Sequence, residues 1–415
     1  MRKIIIFFII LTIIGTVSLV AINLRKDSSH TDDTSEAEIS QPIDLSGLDS
    51  YQPAGSMATV TDAGAVDAAA SQSFTISMNF VGDIMLAGND TATSSIDAMA
   101  NSQPSTYFFE NIRDYFLNDD ITIANCENVF SDNDNLVKTD KGEAAALEQY
   151  NNAVAEYNSA VALAQQTGTT VSMEKPEYTF RAFWFRSHAA TAKLLPENGV
   201  DVVSIDNNHT YDFGTDGNMD TRAALDVAGV DWGKDGKIVY KEINGFKIAF
   251  VFGSMYSAGA EQAMLVDLEE ANANSDYQVV YFHGGEEKVH AYEDWKQASC
   301  HNLVDHGADL VIGSHPHVLQ PMETYNGANI IYSLGNFIFG GNNYPENRTL
   351  IYNQTLTITQ DAATGGFTVA NTDVTLVPCY VYTGESNNYQ PAVIENETDK
   401  QLVIDFMQGK RELPY

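Results

Sequence analysis

The chain has 415 residues, with 22 Lys plus Arg against 56 Asp plus Glu, a formal net charge of −34 and a pI near 4.3. Such an excess of acid excludes nucleic acid as a partner, because that recognition needs a basic face. A polyanion of any other kind would also be repelled, unless a local Lys/Arg patch or a bound cation offsets the field.

The first element is an apolar run. After Met1-Arg2-Lys3 the chain carries no charge from Ile4 to Leu24. At about 1.5 Å per residue this run spans ~31 Å, the thickness of a bilayer core. It is longer than the apolar part of a cleaved signal peptide. Ser18-Leu19-Val20-Ala21 is a weak cleavage signal, and no Cys lies near for a lipid anchor. The expectation is an uncleaved signal anchor, a transmembrane helix over 1–24. Arg2-Lys3 and Arg25-Lys26 flank it almost equally, so the positive-inside rule does not orient it. The long acidic domain that follows suits export. The expected location is therefore the cell membrane, single-pass, with the globular domain extracellular.

Residues 25–73 are mostly Ser, Thr, Asp, Ala, Gly and Glu, and no Lys or Arg occurs between Lys26 and Arg113. Such a segment buries too little apolar surface to offset chain entropy and reads as a disordered acidic tether. A globular domain over 74–345 and a β-rich C-terminal extension over 346–415 follow. Within the domain, Phe74 to Asp83 is the first strand. Tyr107 to Asn118 reads as a helix, with Phe108, Ile112, Tyr115 and Phe116 in a stripe. Ile121 to Cys126 is a strand and Ser131 to Asp140 a polar loop. Lys141 to Gln166 is a long amphipathic helix, an insertion on the scaffold. Ser187 to Asn198 reads as a helix stopped by Gly199, and Val200 to Ile205 as a strand. The next helix, capped by Thr215 or Asp216, ends before Gly229. Lys237 to Glu242 and Phe246 to Phe252 form a hairpin around Asn244-Gly245. Val279 to Phe282 is a core strand, Asp294 to Asp305 a helix, and Leu310 to Ile312 and Asn329 to Ser333 are strands. A short helix over Lys400 to Gln408 closes the chain. Strands alternating with helices specify an α/β fold.

Five of the apolar runs end in residues that bind metals: Asp83, Glu127, Asn208 with His209, His283, and His315 with His317. Ligands of open parallel α/β sheets bind beyond the carboxyl ends of the strands. Five such ends point to one metal-binding crevice. Gly313-Ser314-His315-Pro316-His317 is the sharpest local signal. Pro316 favours an extended path for the residue before it, and in an extended segment i and i+2 share a side, so both imidazoles enter one site. In Asn207-Asn208-His209 the bland alternative is a polar turn. The functional reading gives the Asn208 amide oxygen to a metal, His209 to acid–base work and Asp212 to orienting the imidazole. The mixed nitrogen and oxygen donors suit Mn, Fe or Zn better than Ca, as one or two divalent ions. His30, His188, His290, His301 and His306 read as surface or packing residues. Cys126, Cys300 and Cys379 are too few and scattered for a disulfide framework.

Val81-Gly82-Asp83-Ile84-Met85-Leu86, Asn125-Cys126-Glu127, Asn207 to Gly214, His283-Gly284-Gly285-Glu286, Gly307 to His317 and Ile331 to Phe337 together resemble the bacterial capsule-synthesis CapA/PgsA family of poly-γ-glutamate proteins. The resemblance runs in order from Phe74 to Phe339. That family is similar to calcineurin-like metallophosphoesterases. The resemblance implies a four-layer α/β/β/α sandwich with a two-metal centre. It implies Asp83 and His317 on a first ion, Asn208, His283 and His315 on a second, Glu127 bridging both, and His209 beside the leaving oxygen. Met85 stands where the larger superfamily has a His ligand, and Glu127 where it has Asp, so the first site is expected to be the weaker. The implied function is assistance in synthesis, export or anchoring of poly-γ-glutamate or a related anionic polymer, with membrane synthase subunits as partners. The alternative is an extracytoplasmic metal-dependent hydrolase of phosphoester or amide bonds.

Overall fold

The computed structural model describes residues 71–413 apart from 90–94, 168, 172, 179–181 and 341–346. Every described residue lies in the compact unit 67–415. The expected anchor over 1–24 lies outside the described residues, as does the tether up to residue 70. Among the described residues no helix is long and apolar enough to cross a membrane.

Among the described residues the strands, in chain order, are β1 (Gln72–Ile84), β2 (Gly88–Asn89), β3 (Ile121–Cys126), β4 (Val129–Phe130), β5 (Phe185–Ser187), β6 (Val202–Ser204), β7 (Asp231–Gly233), β8 (Val239–Ile243), β9 (Phe246–Ser254), β10 (Tyr277–His283), β11 (Leu310–Ser314), β12 (Leu319–Tyr325), β13 (Ala328–Leu334), β14 (Asn336–Ile338), β15 (Arg348–Gln360), β16 (Phe367–Tyr380) and β17 (Ala392–Val393). They form a first sheet in the order β17-β16-β15-β1-β3-β6-β7 with β14 beside β1, a second in the order β12-β13-β11-β10-β9-β8, and a small sheet β2-β5-β4. The centre of each large sheet is parallel: β1-β3-β6-β7 in the first, β9-β10-β11-β13 in the second.

Strand periodicity explains the layers. Ile76, Met78 and Phe80 of β1 and Ile248, Phe250 and Phe252 of β9 turn to one shared core between the sheets. The alternate residues Ala249 and Val251 face the helices Gln262–Asn274 and Asp294–Asp305 on the far side of the second sheet. On the far side of the first sheet, Ala124 and Val203 pack on Phe108, Phe116 and Leu225 from helical segments. Strands buried on both faces read as continuous apolar runs, as Val279–Phe282 of β10 does, whereas β1 alternates Phe74-Thr75-Ile76-Ser77-Met78-Asn79-Phe80. The Asn244-Gly245 turn has φ of 52° and 83° at its two central residues, as a two-residue hairpin requires.

Several expectations change. The helix expected over Tyr107–Asn118 is a 3₁₀ turn, Tyr107–Phe109, then a short helix, Arg113–Leu117. The helix expected over Ser187–Asn198 is two 3₁₀ segments, Ala189–Leu194 and Pro196–Asn198; Pro196 brings no N–H and cannot continue an α-helix. The helix Gly214–Ala228 starts before Thr215 and Asp216, so neither caps it. Sequence periodicity also missed the helices Ser95–Ser102 and Gln262–Asn274 and the strand β12. The β-rich stretch after 346 is no appendage. β15 pairs with β1 over nine consecutive positions from Gln72↔Gln360 to Phe80↔Tyr352. The C-terminal helix, Glu397–Met407, buries Leu402, Val403 and Phe406 in the core between the sheets.

Candidate metal centre

The carboxyl ends of β1, β3 and β6 in the first sheet and of β10 and β11 in the second meet at one edge of the sandwich. Glycine makes the convergence fit. A Cβ on Gly82 would stand 1.8 Å from the Gly335 carbonyl oxygen, and one on Gly284 1.6 Å from that of Met255, so backbone crosses backbone at both points with no space for a side chain.

All six expected ligands come together there. Asp83, Glu127 and His283 are fully buried, and His315 and His317 nearly so. His283 Nε2 lies 2.9 Å from Asn208 Oδ1, 3.0 Å from His315 Nδ1 and 3.6 Å from Glu127 Oε1. His317 Nδ1 is 3.3 Å from Asp83 Oδ2, and its Nε2 is 3.9 Å from Glu127 Oε1. Two triads, Asp83–Glu127–His283 and Glu127–His315–His317, each bring their donor atoms within 4.8 Å of one another, and Glu127 belongs to both. Each triad thus has three ligands. The grouping differs from the expected one, since His283 joins Asp83 and His317 joins His315; Met85 packs with Ala87, Phe185 and Phe339.

Glu127 tests whether the residues fit a cation. Both of its oxygens are buried and neither has a hydrogen-bond partner. Burial and the neighbouring Asp83 and Glu287 push its pKa well above the usual carboxylate range. Burial also raises Asp83, but His283 and His317 beside it outweigh that and hold it far below. Burial, reinforced by His283 and His317, lowers the His315 imidazole to about 2, and burial lowers His283. Neutral imidazoles packed around an orphaned buried carboxylate are electron-pair donors without an acceptor, and a divalent ion satisfies all of them. The residues fit.

The Ser314–Val318 segment reaches the site differently from the extended path expected. His315 has φ 97° and His317 φ 59°, so both imidazoles enter from a tight bend. The preference imposed by Pro316 is overridden by the surrounding contacts: the His315 N–H points to Asp83 Oδ2 at 3.4 Å and the His317 ring bonds Asn336 at 2.7 Å. Non-glycine residues in this region persist only where their neighbours over-determine them. The ring centroids end 5.8 Å apart.

His209 and Asp212 sit beside the six ligands. His209 Nδ1 contacts Asp212 Oδ2 at 2.8 Å and its Nε2 lies 3.9 Å from Glu127 Oε1. Burial lowers the His209 pKa, opposed by Asp212. A cleft of about 420 Å³ opens over His209 and His317, walled by Met85, Phe185 and Phe339.

Sequence reasoning missed a ring of supporting residues. Asn125 Nδ2 donates to Asp83 Oδ1 at 2.8 Å and lies 3.1 Å from His283 Nδ1. Ser314 Oγ is 3.0 Å from His283 Nδ1. Asn207 Oδ1 accepts from the His209 N–H at 3.0 Å, and its Nδ2 donates to the Cys126 carbonyl at 2.8 Å. Asn336 orients His317, and the Tyr256 ring stands edge-on to His315 at 5.1 Å. Asn125, Ser314 and Asn336 each lie within two residues of a ligand or a strand end; an amide or hydroxyl at that place was the available signal.

The family described as Bacterial capsule synthesis protein PGA_cap matches residues 144–341, which include Asn208, His209, His283, His315 and His317. Capsule biosynthesis protein CapA of Bacillus anthracis is 26% identical over 365 residues, covering 80% of this chain and 74% of that protein. PGA biosynthesis protein CapA of Bacillus subtilis is 32% identical over 176 residues, covering 37% of this chain and 46% of that one. A solved structure described as a novel phosphatase of Mycoplasma pneumoniae aligns with 74% of this chain and 95% of its own, at 12% identity and a TM-score of 0.36, a likeness that carries no argument about chemistry.

Proposed function

We propose, from the premise that this chain carries the PGA_cap domain of bacterial capsule-synthesis proteins, that it is a membrane-anchored CapA-type protein. It would assist synthesis, export or anchoring of poly-γ-glutamate or a related anionic polymer, with membrane synthase subunits as partners. The observation that carries the reading is Glu127, a fully buried carboxylate with two unpartnered oxygens amid His283, His315 and His317. Asp83, Glu127, Asn208, His283, His315 and His317 would hold one or two divalent ions, Mn, Fe or Zn. Such an ion supplies a Lewis acid for a carboxylate, amide or phosphoryl oxygen. A cation there also answers a charge problem: a polymer of carboxylates must approach a chain of net charge −34. Placement in the cell membrane with the globular domain outside is supported by the uncharged run Ile4–Leu24.

A specific observation favours the second reading, a metal-dependent hydrolase. With Nδ1 tied to Asp212, His209 presents Nε2 on the side of the crevice, where it can hold or deliver a proton to a leaving group. Simple binding of a polymer needs no such group.

The test is metal analysis of the purified full-length chain, with poly-γ-glutamate binding and turnover of a model phosphodiester measured before and after chelation. At least one ion per chain, lost in His315→Ala, is expected. Less than one ion, with polymer binding indifferent to chelation, refutes the metal site. Turnover lost in His209→Ala with the metal retained selects the hydrolase.

A further inference from the structure

The chain leaves the scaffold after Thr139 and returns at Phe183. Between them runs the helix Glu143–Thr167, which lies outside both large sheets. Both stems of this excursion end on one carboxylate. On the outgoing side, the Thr139 N–H and hydroxyl donate to the Asp212 carbonyl at 2.9 and 3.1 Å. Lys141 forms an ion pair with Asp212 Oδ1 and donates to the Phe183 carbonyl at 2.7 Å. On the returning side, the Phe185 N–H donates to Asp212 Oδ2 at 2.8 Å, and the Phe185 ring packs on His209 at 4.6 Å. The Trp184 indole closes the pair of stems through the Thr139 carbonyl at 3.0 Å.

We propose that Lys141 is a positioning residue for His209, acting through Asp212. This rests on the reading of His209 as the proton-handling group. The accounting of Asp212 carries it. Oδ2 is shared by His209 Nδ1 and the Phe185 N–H, whereas buried Oδ1 is met by the Lys141 ammonium as an ion pair; the same Nζ stands 3.5 Å from His209 Nδ1, a longer contact than the 2.8 Å from that nitrogen to Oδ2. Without that ammonium the carboxylate gains by turning Oδ1 toward another donor, and the turn breaks the line from Oδ2 to His209. Lys141 is no ordinary helix-surface lysine. Gly142, at φ 88°, separates it from the helix, so the helix departs while the ammonium stays beside Asp212. Its Nζ also lies 5.8 Å from the Trp184 ring centroid, a second constraint on its place.

The test uses the full-length chain labelled with ¹⁵N-histidine. The hydrogen-bonded Nδ1–H resonance of His209 is assigned by its loss in His209→Gln. It is expected in the wild type, shifted upfield or lost in Lys141→Met and restored in Lys141→Arg. On a model phosphodiester, Lys141→Met is expected to lower kcat roughly tenfold, the low end for an outer-shell partner, with KM little changed. If Lys141→Met does not fold, Lys141→Gln keeps a donor for the Phe183 carbonyl without the charge and carries the same expectation. An unaltered His209 resonance in the folded variant overturns the proposal, as does the absence of that resonance from the wild type. A wild type without turnover that still shows the Lys141-dependent resonance upholds the positioning and defeats only the hydrolase reading.

Discussion

Replacing Glu127 by Gln separates two effects of opposite sign. In the metal-free protein, burial and Asp83 raise the Glu127 pKa above its ordinary 4.5. The folded state then holds its proton longer than the unfolded state does. That contribution to stability is complete below about 4.5 and is lost as pH rises toward the folded value. Glu127→Gln removes the loss, so at pH 8 the metal-free variant should melt at a higher temperature than the wild type. With a divalent ion the order of gains reverses. An ion at a thousand times its Kd stabilises by ~4 kcal/mol. For a unit of ~350 residues the unfolding entropy is ~0.7 kcal/mol/K, so the wild-type Tm should rise by ~6 °C. The amide keeps one oxygen but no charge at the junction of both triads. A hundredfold loss of affinity reduces the stabilisation to ~1.4 kcal/mol and the rise to ~2 °C. Scanning calorimetry of both proteins, chelated and metal-loaded, reads all four temperatures. A variant that keeps the full rise, or whose metal-free form melts lower than the wild type, would refute the assignment of Glu127 as the shared ligand.

Three further outcomes follow from the packing. Burial, with His283 and His317, holds His315 at about 2 against an ordinary 6.5, so the unfolded state binds the extra proton first; relative to His315→Gln, the metal-free wild type should lose ~2 kcal/mol between pH 7.5 and 5, read as the difference between their urea titrations. Gly284→Ala puts a methyl 1.6 Å from the Met255 carbonyl oxygen; backbone must move, and denaturant unfolding should register a loss of about 3 kcal/mol or more. Asn396 caps the C-terminal helix by accepting from the Thr398 and Asp399 N–H groups, each at 3.0 Å; Asn396→Ala should cost about 1 kcal/mol in the same assay, and an unchanged midpoint would mean that the cap is dispensable.

The site was more legible in the sequence than the fold around it. A strand that ends in Asp, Glu or His announces itself, because the apolar run and the polar residue are adjacent in the chain. Asp83, Glu127, Asn208, His283, His315 and His317 therefore converge as the spacing suggests. What holds them was harder to see. Asn125 and Asn336 are single amides whose partners, His283 and His317, stand 158 and 19 positions away. The bend at His315 runs against the local preference set by Pro316, and only the contacts to Asp83 and Asn336 fix it. The helical stripe over Tyr107–Asn118 marks burial with the wrong geometry attached, since Phe108, Ile112 and Phe116 are buried while Tyr115, the fourth member, is exposed. Lys141 carried no signal, because its role depends on a carboxylate 71 positions later.

The pairing of β1 with β15 bears on how the chain reaches this state. The second strand edge of β1 finds its neighbour only when residues 352–360 have been made, some 270 positions after the strand itself. At ribosomal rates of ~5–20 residues per second that interval lasts roughly 15–55 s. For that time thirteen residues of β-forming sequence have one edge without a partner. Assembly of the first sheet is a late, long-range event, set by β15 and not by the first strands to form.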